Sequence, residues 1–583
     1  MVDEARREQQ GAGEGATGTR AGRSARGRPS TEPRSSDQRS TGIIYDALSA
    51  LLFGVLVILI LASFRDYGIT WDESWHLHYG DHIVAWYASG FENRAALSYH
   101  SDYLYGGGFD ATAALFRAAA ASADGLAPYD VNHLLGACVG VLGILGAWRL
   151  GRLLYGPAGA FWSALLLSLT PVYYGHMFNN PKDIPFAAGY VWAMVGIGRV
   201  LLALPRVPTR RWVELGFLLG AALCVRVGGI LTICYLLLAL GLYGIHRAVV
   251  SGSLDAAFGV TARLLALAGA ASLGAWSLML VAWPWALLDP LRHPFEALGR
   301  MTAYNLHHRE MPFGELVIRT TEPPWDYLPR YFLFKLPVLH WALLGAAAAI
   351  GLWTLWRALA GRGLLRADIR RPLLWFTLLL ATAFPPSYAI VRGSTLYDGL
   401  RHFLFLIPLL AVFAASAVVV IARALERRGR VFASLWLVIV CGACVDVGRV
   451  MVHLHPHQYV FFNRLVGGLP GAFERYDTDY YGESYKRLFA GLYEHLWTHE
   501  REALLTEEFT VTGCIPVEIA REYERQNIRF TRAAGADFFV GYQREGCLRA
   551  HAASPVIYAE QRQGATLPLV RDLRPGARGR RSP

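Results

Sequence analysis

Residues 43–74 read IIYDALSALLFGVLVILILASFRDYGITWDES. Segment 43–63 is an apolar run long enough to cross a bilayer as a helix, which takes about 17–25 such residues. A polar stretch follows at once and ends in two adjacent carboxylates, Asp72 and Glu73. Upstream, the chain is rich in Gly, Ser and Arg, as in GTRAGRSARGRPSTEPRSS. It lacks the short apolar stretch and small-residue cleavage site of a signal peptide. Residues 1–42 therefore read as a disordered cytoplasmic tail, and 43–63 as an uncleaved first span.

The same pattern recurs along the chain. Further apolar runs at 131–152, 158–177, 184–204, 212–225, 227–246, 262–287, 333–357, 372–390, 401–424 and 431–451 give about eleven transmembrane helices. The fifth and sixth share one run, so ten spans is the alternative count. The arginines decide between the two. With eleven spans and the N-terminus inside, the inner loops hold Arg149 and Arg152, then Arg206, Arg210 and Arg211, then Arg247 and Arg263. The last two inner loops hold Arg362, Arg366, Arg370 and Arg371, then Arg427, Arg428 and Arg430. Short outer loops hold few basic residues, which is the positive-inside pattern. Ten spans would put the richest arginine clusters outside.

Composition agrees. Of 583 residues, 54% are hydrophobic and 17% charged, against about 25% charged in a soluble domain. This excludes a disordered chain and a disulfide-rich secreted scaffold, and it argues against a cytosolic enzyme. The 56 basic and 45 acidic residues, net +11, would point to nucleic acid in a soluble protein. Here they reflect inner-loop arginines, and no nucleic-acid partner is expected. Of the seven cysteines, Cys138, Cys224, Cys234, Cys441 and Cys444 sit in apolar runs as small packing residues. Cys514 and Cys547 lie in a polar C-terminal region, where an oxidising compartment permits a bridge but spacing does not decide it.

The expected architecture is mainly α. A polytopic transmembrane domain covers 43–451, with outer loops 64–130 and 288–332, and a small extracytoplasmic α/β domain covers 452–583. In the first loop, WHLHYGDHIVAWY and FDATAALFRAAAASA have the periodicity of helices lying at the membrane interface. In the C-terminal region, FTVTG and ADFFVGYQ read as strands and PVEIAREYERQ as a helix.

Charges are costly at bilayer depth, and here they gather at outer helix ends. Thr70-Trp71-Asp72-Glu73-Ser74 offers a carboxylate that can take a proton from an acceptor hydroxyl; otherwise Thr70 or Asp72 caps an interfacial helix. Phe178-Asn179-Asn180-Pro181-Lys182-Asp183 offers a second acid, Asp183, or another helix cap; Lys182 meets a phosphate or snorkels to the surface. Arg392 and the pair Arg401-His402 open the tenth span, where free N–H groups and basic side chains favour an anion such as a lipid phosphate. His78, His82 and Asp81, and the alternating His453, His455 and His457, are weak metal candidates without an HExxH or CxxC motif. Trp325, Tyr327, Tyr480 and Tyr481 either stack on sugar faces or form an aromatic belt.

An acidic pair after the first span, a long outer loop with interfacial helices and a second outer acid resemble the GT-C glycosyltransferases. The likeness is nearest to glycosyltransferase family 39 and its bacterial relatives, which include protein mannosyltransferases and the lipid A aminoarabinose transferase. NNPKDIPFA, DGLRHFLFLIP and HPHQYVFFNRLVGG, running into DYYGESY, are similar to blocks of a bacterial branch, and the resemblance spans about 43–485. It implies a polyprenyl-phosphate sugar as donor, and a glycan, lipid or protein hydroxyl as acceptor. It also implies an active site on the outer face of a bacterial plasma membrane, within cell-envelope assembly. It makes Asp72 the catalytic base with Glu73 as neighbour, and Asp183 the second acid. Direct displacement would invert the anomeric centre, with Lys182, Arg401 and His402 holding the departing phosphate. Metal dependence varies among such enzymes and leaves a divalent cation open as a cofactor. The chain has no β-trefoil insert of the kind eukaryotic protein mannosyltransferases carry, and the tail beyond about 485 has no usable likeness. A transporter or flippase of lipid-linked sugars is the alternative; it would need charges or broken helices near the midplane, where only Arg226 and Asp446 come close. A non-catalytic scaffold is the other.

Overall fold

The computed structural model describes residues 36–121, 125–302, 308–360, 368–525, 527–544 and 546–575. Most of the expected disordered tail lies outside the described residues, as do Arg362 and Arg366. Helix α1 runs Ser36–Ser63. The loop after it folds into α2 (Glu73–Ala88) and α3 (Gly108–Ala120), where the periodicity predicts helices. Next come α4 (Pro128–Ser168), α5 (Pro171–Asn179), α6 (Asp183–Leu201), α7 (Thr209–Leu223), α8 (Ile230–Ser251) and α9 (Leu254–Ala282). The second loop holds α10 (Pro284–Leu288), α11 (Arg292–Thr302), the antiparallel hairpin β1 (Glu310–Phe313) and β2 (Leu316–Arg319), and α12 (Tyr327–Lys335). Helices α13 (Val338–Ala360), α14 (Arg370–Arg392), α15 (Ile407–Glu426) and α16 (Arg430–Leu454) follow.

Among the described residues, nine helices are long and apolar enough to cross a membrane, so the chain is an integral, multi-pass membrane protein. The expected eleven differ from this in two places. The 41-residue α4 carries run 131–152 and the first part of run 158–177, and non-helical Gly156 (φ 74°, ψ −157°) divides it between the two, so both expected segments are present. Run 212–225 becomes α7, of 15 residues. At 1.5 Å per residue that is about 22 Å, short of the ~30 Å hydrocarbon core.

Packing explains which spans are central. Nearly every residue of α6 is buried, and α4 meets α5 and α6 along a row of glycines. A Cβ on Gly136 would sit 2.9 Å from the carbonyl oxygens of Met177 and Phe178, and one on Gly146 would sit 2.6 Å from Val191 Cγ1. Small residues let backbones approach where lipid supplies no hydrophobic drive between helices. The outer surfaces of α1, α13 and α16 expose residues such as Ile58, Leu61, Leu352, Trp353, Val438 and Ile439, as lipid contact requires.

Residues 455–484 have little regular structure beyond the short α17 (Gly468–Ala472). Their Tyr459, Val460, Phe462, Tyr476, Tyr480 and Tyr481 share the core of the spans. A second core joins Ile69 and Tyr129 to Tyr485, Leu488, Leu492, Val511, Ile519, Phe538 and Val540. Here α18 (Tyr485–His499) and α19 (Arg501–Thr506) precede a five-stranded sheet of order β4-β3-β5-β7-β6. Its strands are β3 (Phe509–Gly513), β4 (Ile528–Phe530), β5 (Phe538–Tyr542), β6 (Val556–Arg562) and β7 (Ala565–Asp572). Strand β3 runs parallel to β4 and β5, while β7 runs antiparallel to β5 and β6. Helix α20 (Val517–Glu522) lies on the crossover between β3 and β4 that parallel pairing demands. The small α/β unit read from FTVTG, PVEIAREYERQ and ADFFVGYQ is in place.

A Cys514–Cys547 disulfide joins the end of β3 to the turn after β5. Closing a loop of 33 residues stabilises by about 4 kcal/mol through lost chain entropy of the unfolded state. Cys514→Ser should therefore lower the thermal midpoint of the C-terminal unit, and a midpoint indifferent to both the substitution and reductant would contradict this.

Candidate functional site

Adjacent helix positions point about 100° apart, so Asp72 and Glu73 cannot do the same work. Glu73 turns back: its Oε2 accepts from the Thr70 N–H at 2.8 Å, and its Oε1 lies 3.0 Å from His133 Nε2. It satisfies a free donor at the start of α2, and the Asp72 side chain makes no capping bond. Asp72 Oδ2 instead accepts from Lys182 Nζ at 2.7 Å, Arg401 Nη1 at 2.9 Å and the Tyr481 hydroxyl at 3.1 Å. Burial alone would raise the Asp72 pKa, but Arg401 and then Lys182 hold it well below the usual carboxylate range. For Lys182, burial pulls the ammonium pKa down and Asp72 more than restores it, leaving it raised.

The second acid follows the same logic. Asn180 Oδ1 accepts from the Asp183 N–H at 2.9 Å, satisfying a first-turn donor of α6. The Asp183 carboxylate accepts from Asn180 Nδ2 at 2.9 Å and from Arg226 Nη2, with Arg401 Nε 3.7 Å away. Three cations, Lys182, Arg226 and Arg401, thus converge on two carboxylates. The Lys182 ammonium and the Arg226 guanidinium lie 5.3 and 5.7 Å from the Tyr105 ring centroid. Among the described residues the Nε atoms of Arg226 and Arg401 have no hydrogen-bond partner.

Arg401 opens a 3-10 turn, Arg401–Leu406, that leads into α15. The chain reaches it through Asp398 and Gly399 at φ 56° and 62°, left-handed positions that Asp and Gly tolerate. A Cβ at Gly399 would meet the Tyr331 ring at 3.2 Å. Asp398 Oδ2 lies 3.5 Å from Arg401 Nη1, its Oδ1 accepts from Arg309 Nη2 at 2.7 Å, and Arg309 Nη2 reaches Asp477 Oδ2 at 2.8 Å. Charges therefore alternate from Asp72 through Arg401, Asp398 and Arg309 to Asp477.

The segment 455–485 builds the wall. Asn463 Nδ2 donates to the carbonyls of Leu333 (2.6 Å) and Leu336 (2.8 Å). Asp479 accepts from the hydroxyls of Tyr459 and Ser484 and from the Gly482 N–H at 3.1 Å. Backbone pairing of the Trp71 N–H with the Tyr481 carbonyl at 3.1 Å then fixes Tyr481 over Asp72.

Of the residues read from sequence, Asp72, Lys182, Asp183 and Arg401 come together. His402 packs edge-on against Tyr397 at 4.6 Å and joins no ion pair among the described residues. Arg392 is exposed at the end of α14, where Gly393 at φ 59° turns the chain, and it stands outside the cluster. Glu73 is buried but faces Thr70 and His133. Glu73→Gln should therefore cost about 1–3 kcal/mol of stability while activity per folded molecule is largely kept; loss of turnover in a fully folded E73Q protein would contradict this.

Sequence reasoning missed Arg309 and a second buried group beside Asp72; it named Arg226 only as a charge near the midplane, Tyr481 only as a sugar-stacking or belt residue, and Asp398 only within a quoted block. His76 Nδ1 lies 3.1 Å from both Asp110 oxygens, and its Nε2 lies 3.7 Å from Asp102 Oδ1. Burial pulls the His76 pKa down, but Asp110 and Asp102 more than offset it, so it is raised. Burial raises the Asp102 pKa despite His76. The available signal is that His76 falls one turn after Asp72 on the buried face of α2, with Tyr79, Gly80 and Ile83.

The singled-out histidines disperse. His78 Nδ1 meets the Ser74 carbonyl at 2.7 Å, His455 Nε2 meets Asp66 at 2.8 Å, and His457 Nδ1 lies 3.5 Å from Glu483. No group of three or more His, Cys, Asp or Glu side chains among the described residues is arranged to hold a metal ion. The site carboxylates face guanidinium and ammonium groups instead, which does not fit a divalent cation. Tyr327, Tyr480 and Tyr481 are fully buried, whereas Trp325 is exposed. Asp446 pairs with Arg464 at 2.8 Å.

No family model matches the chain, and no curated protein matches its sequence. Among solved structures, ArnT from Cupriavidus metallidurans bound to undecaprenyl phosphate is similar at 15% identity and TM-score 0.46, covering 89% of this chain and 97% of that one. Its apo state gives 14% identity and TM-score 0.47, covering 92% and 98%. The apo oligosaccharyltransferase of Archaeoglobus fulgidus gives 16% identity and TM-score 0.46, covering 86% and 65%.

Proposed function

We propose that this membrane protein is a glycosyltransferase of the GT-C type. It moves a sugar from a polyprenyl-phosphate carrier to a hydroxyl acceptor on the extracytoplasmic face, with inversion. One observation carries the reading: Asp72, relieved of capping by Glu73, is a buried carboxylate held between Lys182 and Arg401 at the ends of apolar helices. Asp72 takes the acceptor's hydroxyl proton, and the oxygen attacks the anomeric carbon as the bond to the phosphate oxygen breaks. The leaving polyprenyl phosphate keeps the electron pair, and Lys182, Arg226 and Arg401 offset its growing charge. The polyprenyl chain lies against the exposed apolar helix faces.

A carboxylate held this low is a weak base. The donor phosphate competes with Asp72 for Lys182 and Arg401, so binding raises the proton affinity of Asp72 when it is needed. As pH falls through the acid limb, Asp72 is protonated and rate is lost. The acid limb of kcat/KM, which reports the free enzyme, should therefore lie at lower pH than that of kcat, which reports the complex. Coincident limbs would contradict this coupling.

The reading is tested with purified protein and radiolabelled polyprenyl-phosphate sugars. Polyprenyl phosphate should be released mole for mole with sugar transferred, and the product linkage should have the opposite anomeric configuration to the donor. Transfer from nucleotide sugars alone, or retention of configuration, would overturn it.

A further inference from the structure

The alternating charges that begin at Asp72 end in a cleft. It holds about 640 Å³ between the β1–β2 hairpin and the turns around β5. Arg309 and Asp477, the last pair of the chain, line it, with Gln543 and Arg544 beside them and Glu310 and Arg549 farther out. A second route ties the same cleft to the site. The Arg544 guanidinium lies 5.0 Å from the Trp71 ring centroid, and its Nη1 donates to the Tyr480 carbonyl at 2.8 Å. Trp71 and Tyr480 directly precede Asp72 and Tyr481, which bond each other.

The chemistry of the lining is specific. Guanidinium, carboxylate and carboxamide groups are planar and present paired donors or acceptors. Vicinal hydroxyls of a sugar, each both donor and acceptor, match such pairs. The Nε2 amide donor of Gln543 and the Nε of Arg309 have no hydrogen-bond partner among the described residues. Both signs of charge are present, so the lining does not select a simple anion.

We infer that this cleft binds the acceptor, and that the acceptor is a carbohydrate whose attacking hydroxyl is presented past Trp71 to Asp72. The inference rests on the transferase reading above. It also gives the C-terminal unit a role: its turns after β5 and the outer hairpin together select the acceptor, while the helical domain holds the donor.

The test uses full-length protein in liposomes with radiolabelled polyprenyl-phosphate sugar. Three measurements are made: release of sugar to water, transfer to an oligosaccharide fraction freed from a membrane extract by mild acid, and transfer to Ser/Thr-containing peptides. Gln543→Ala, Glu310→Ala and Arg549→Glu, none of which touches Asp72 or its cations, are compared with wild type. Arg549 is exposed, so R549E keeps the comparison valid where Q543A folds poorly. The variants should raise the oligosaccharide KM about tenfold and leave water release and donor KM unchanged. An unchanged oligosaccharide KM, or label passing to peptides and not to oligosaccharide, overturns the cleft assignment. Absence of both sugar transfer and sugar release by wild type overturns the transferase reading itself.

Discussion

Replacing Asp72 with Asn lowers the transfer rate by about 10²–10⁴-fold, the usual contribution of a positioned general base. The amide keeps the shape and can still accept from the Tyr481 hydroxyl, which lies 3.1 Å from Asp72 Oδ2, but it cannot take a proton. The protein should remain folded, because Arg401 keeps Asp398 at 3.5 Å and Asp183 at 3.7 Å. Affinity moves the other way. With the carboxylate gone, Lys182 and Arg401 are released to the donor phosphate, so Asp72→Asn should bind polyprenyl phosphate more tightly than wild type while turning over far more slowly. A purely structural role for Asp72 would weaken both. The measurement is kcat beside equilibrium binding of polyprenyl phosphate, and wild-type turnover in D72N would remove Asp72 from the mechanism.

Arg401→Ala has the larger effect on stability. Arg401 is 3% exposed and is shared by three carboxylates: Asp72, Asp398 and Asp183. Removing one partner from a buried ion-pair network costs about 3–5 kcal/mol, because the opposing charges are left unpaired. Arg401→Lys restores the charge but not the fork, and should fall between. The pH dependence identifies the cause. In the wild type the Asp72 and Asp398 pKa values are depressed, so their stabilisation is present above the unfolded carboxylate pKa of about 4 and is lost as pH falls through the folded values. Without Arg401 those carboxylates are penalised when ionised, so the deficit of R401A should be greatest at neutral pH and shrink as pH falls. A thermal-midpoint deficit in detergent that stays constant with pH would assign the loss to packing alone.

Much of this architecture is legible from local patterns. Apolar run length locates the spans, period-3.6 patterning locates α2 and α3, and alternation locates β3. What the sequence blurs is where a run bends or stops short. Run 158–177 is interrupted at Leu169 and Thr170, between α4 and α5, and α7 is apolar but too short to cross alone. The site is legible only one residue at a time. Asp72 and Arg401 are 329 positions apart, and no local periodicity links them. Two neighbouring acids look equivalent in sequence, yet only Asp72 reaches the cations, since Glu73 is turned to the Thr70 N–H. Arg392 and Arg401 look like one basic patch, but Gly393 turns the chain between them. Asp398 and Tyr481 lie inside sequence blocks that stand out, while their roles depend on positive φ at Asp398 and on backbone pairing at Trp71.

The central claim is that the cluster around Asp72 transfers sugar rather than carrying it across the membrane. The most direct measurement reconstitutes the protein in liposomes with radiolabelled polyprenyl-phosphate sugar and membrane extract, and follows both label transfer to acceptor and movement of donor between leaflets. Label should reach an acceptor with the wild-type protein and fail to do so with Asp72→Asn and Asp183→Asn. Donor crossing the bilayer without transfer, at a rate unaffected by D72N, would contradict the account.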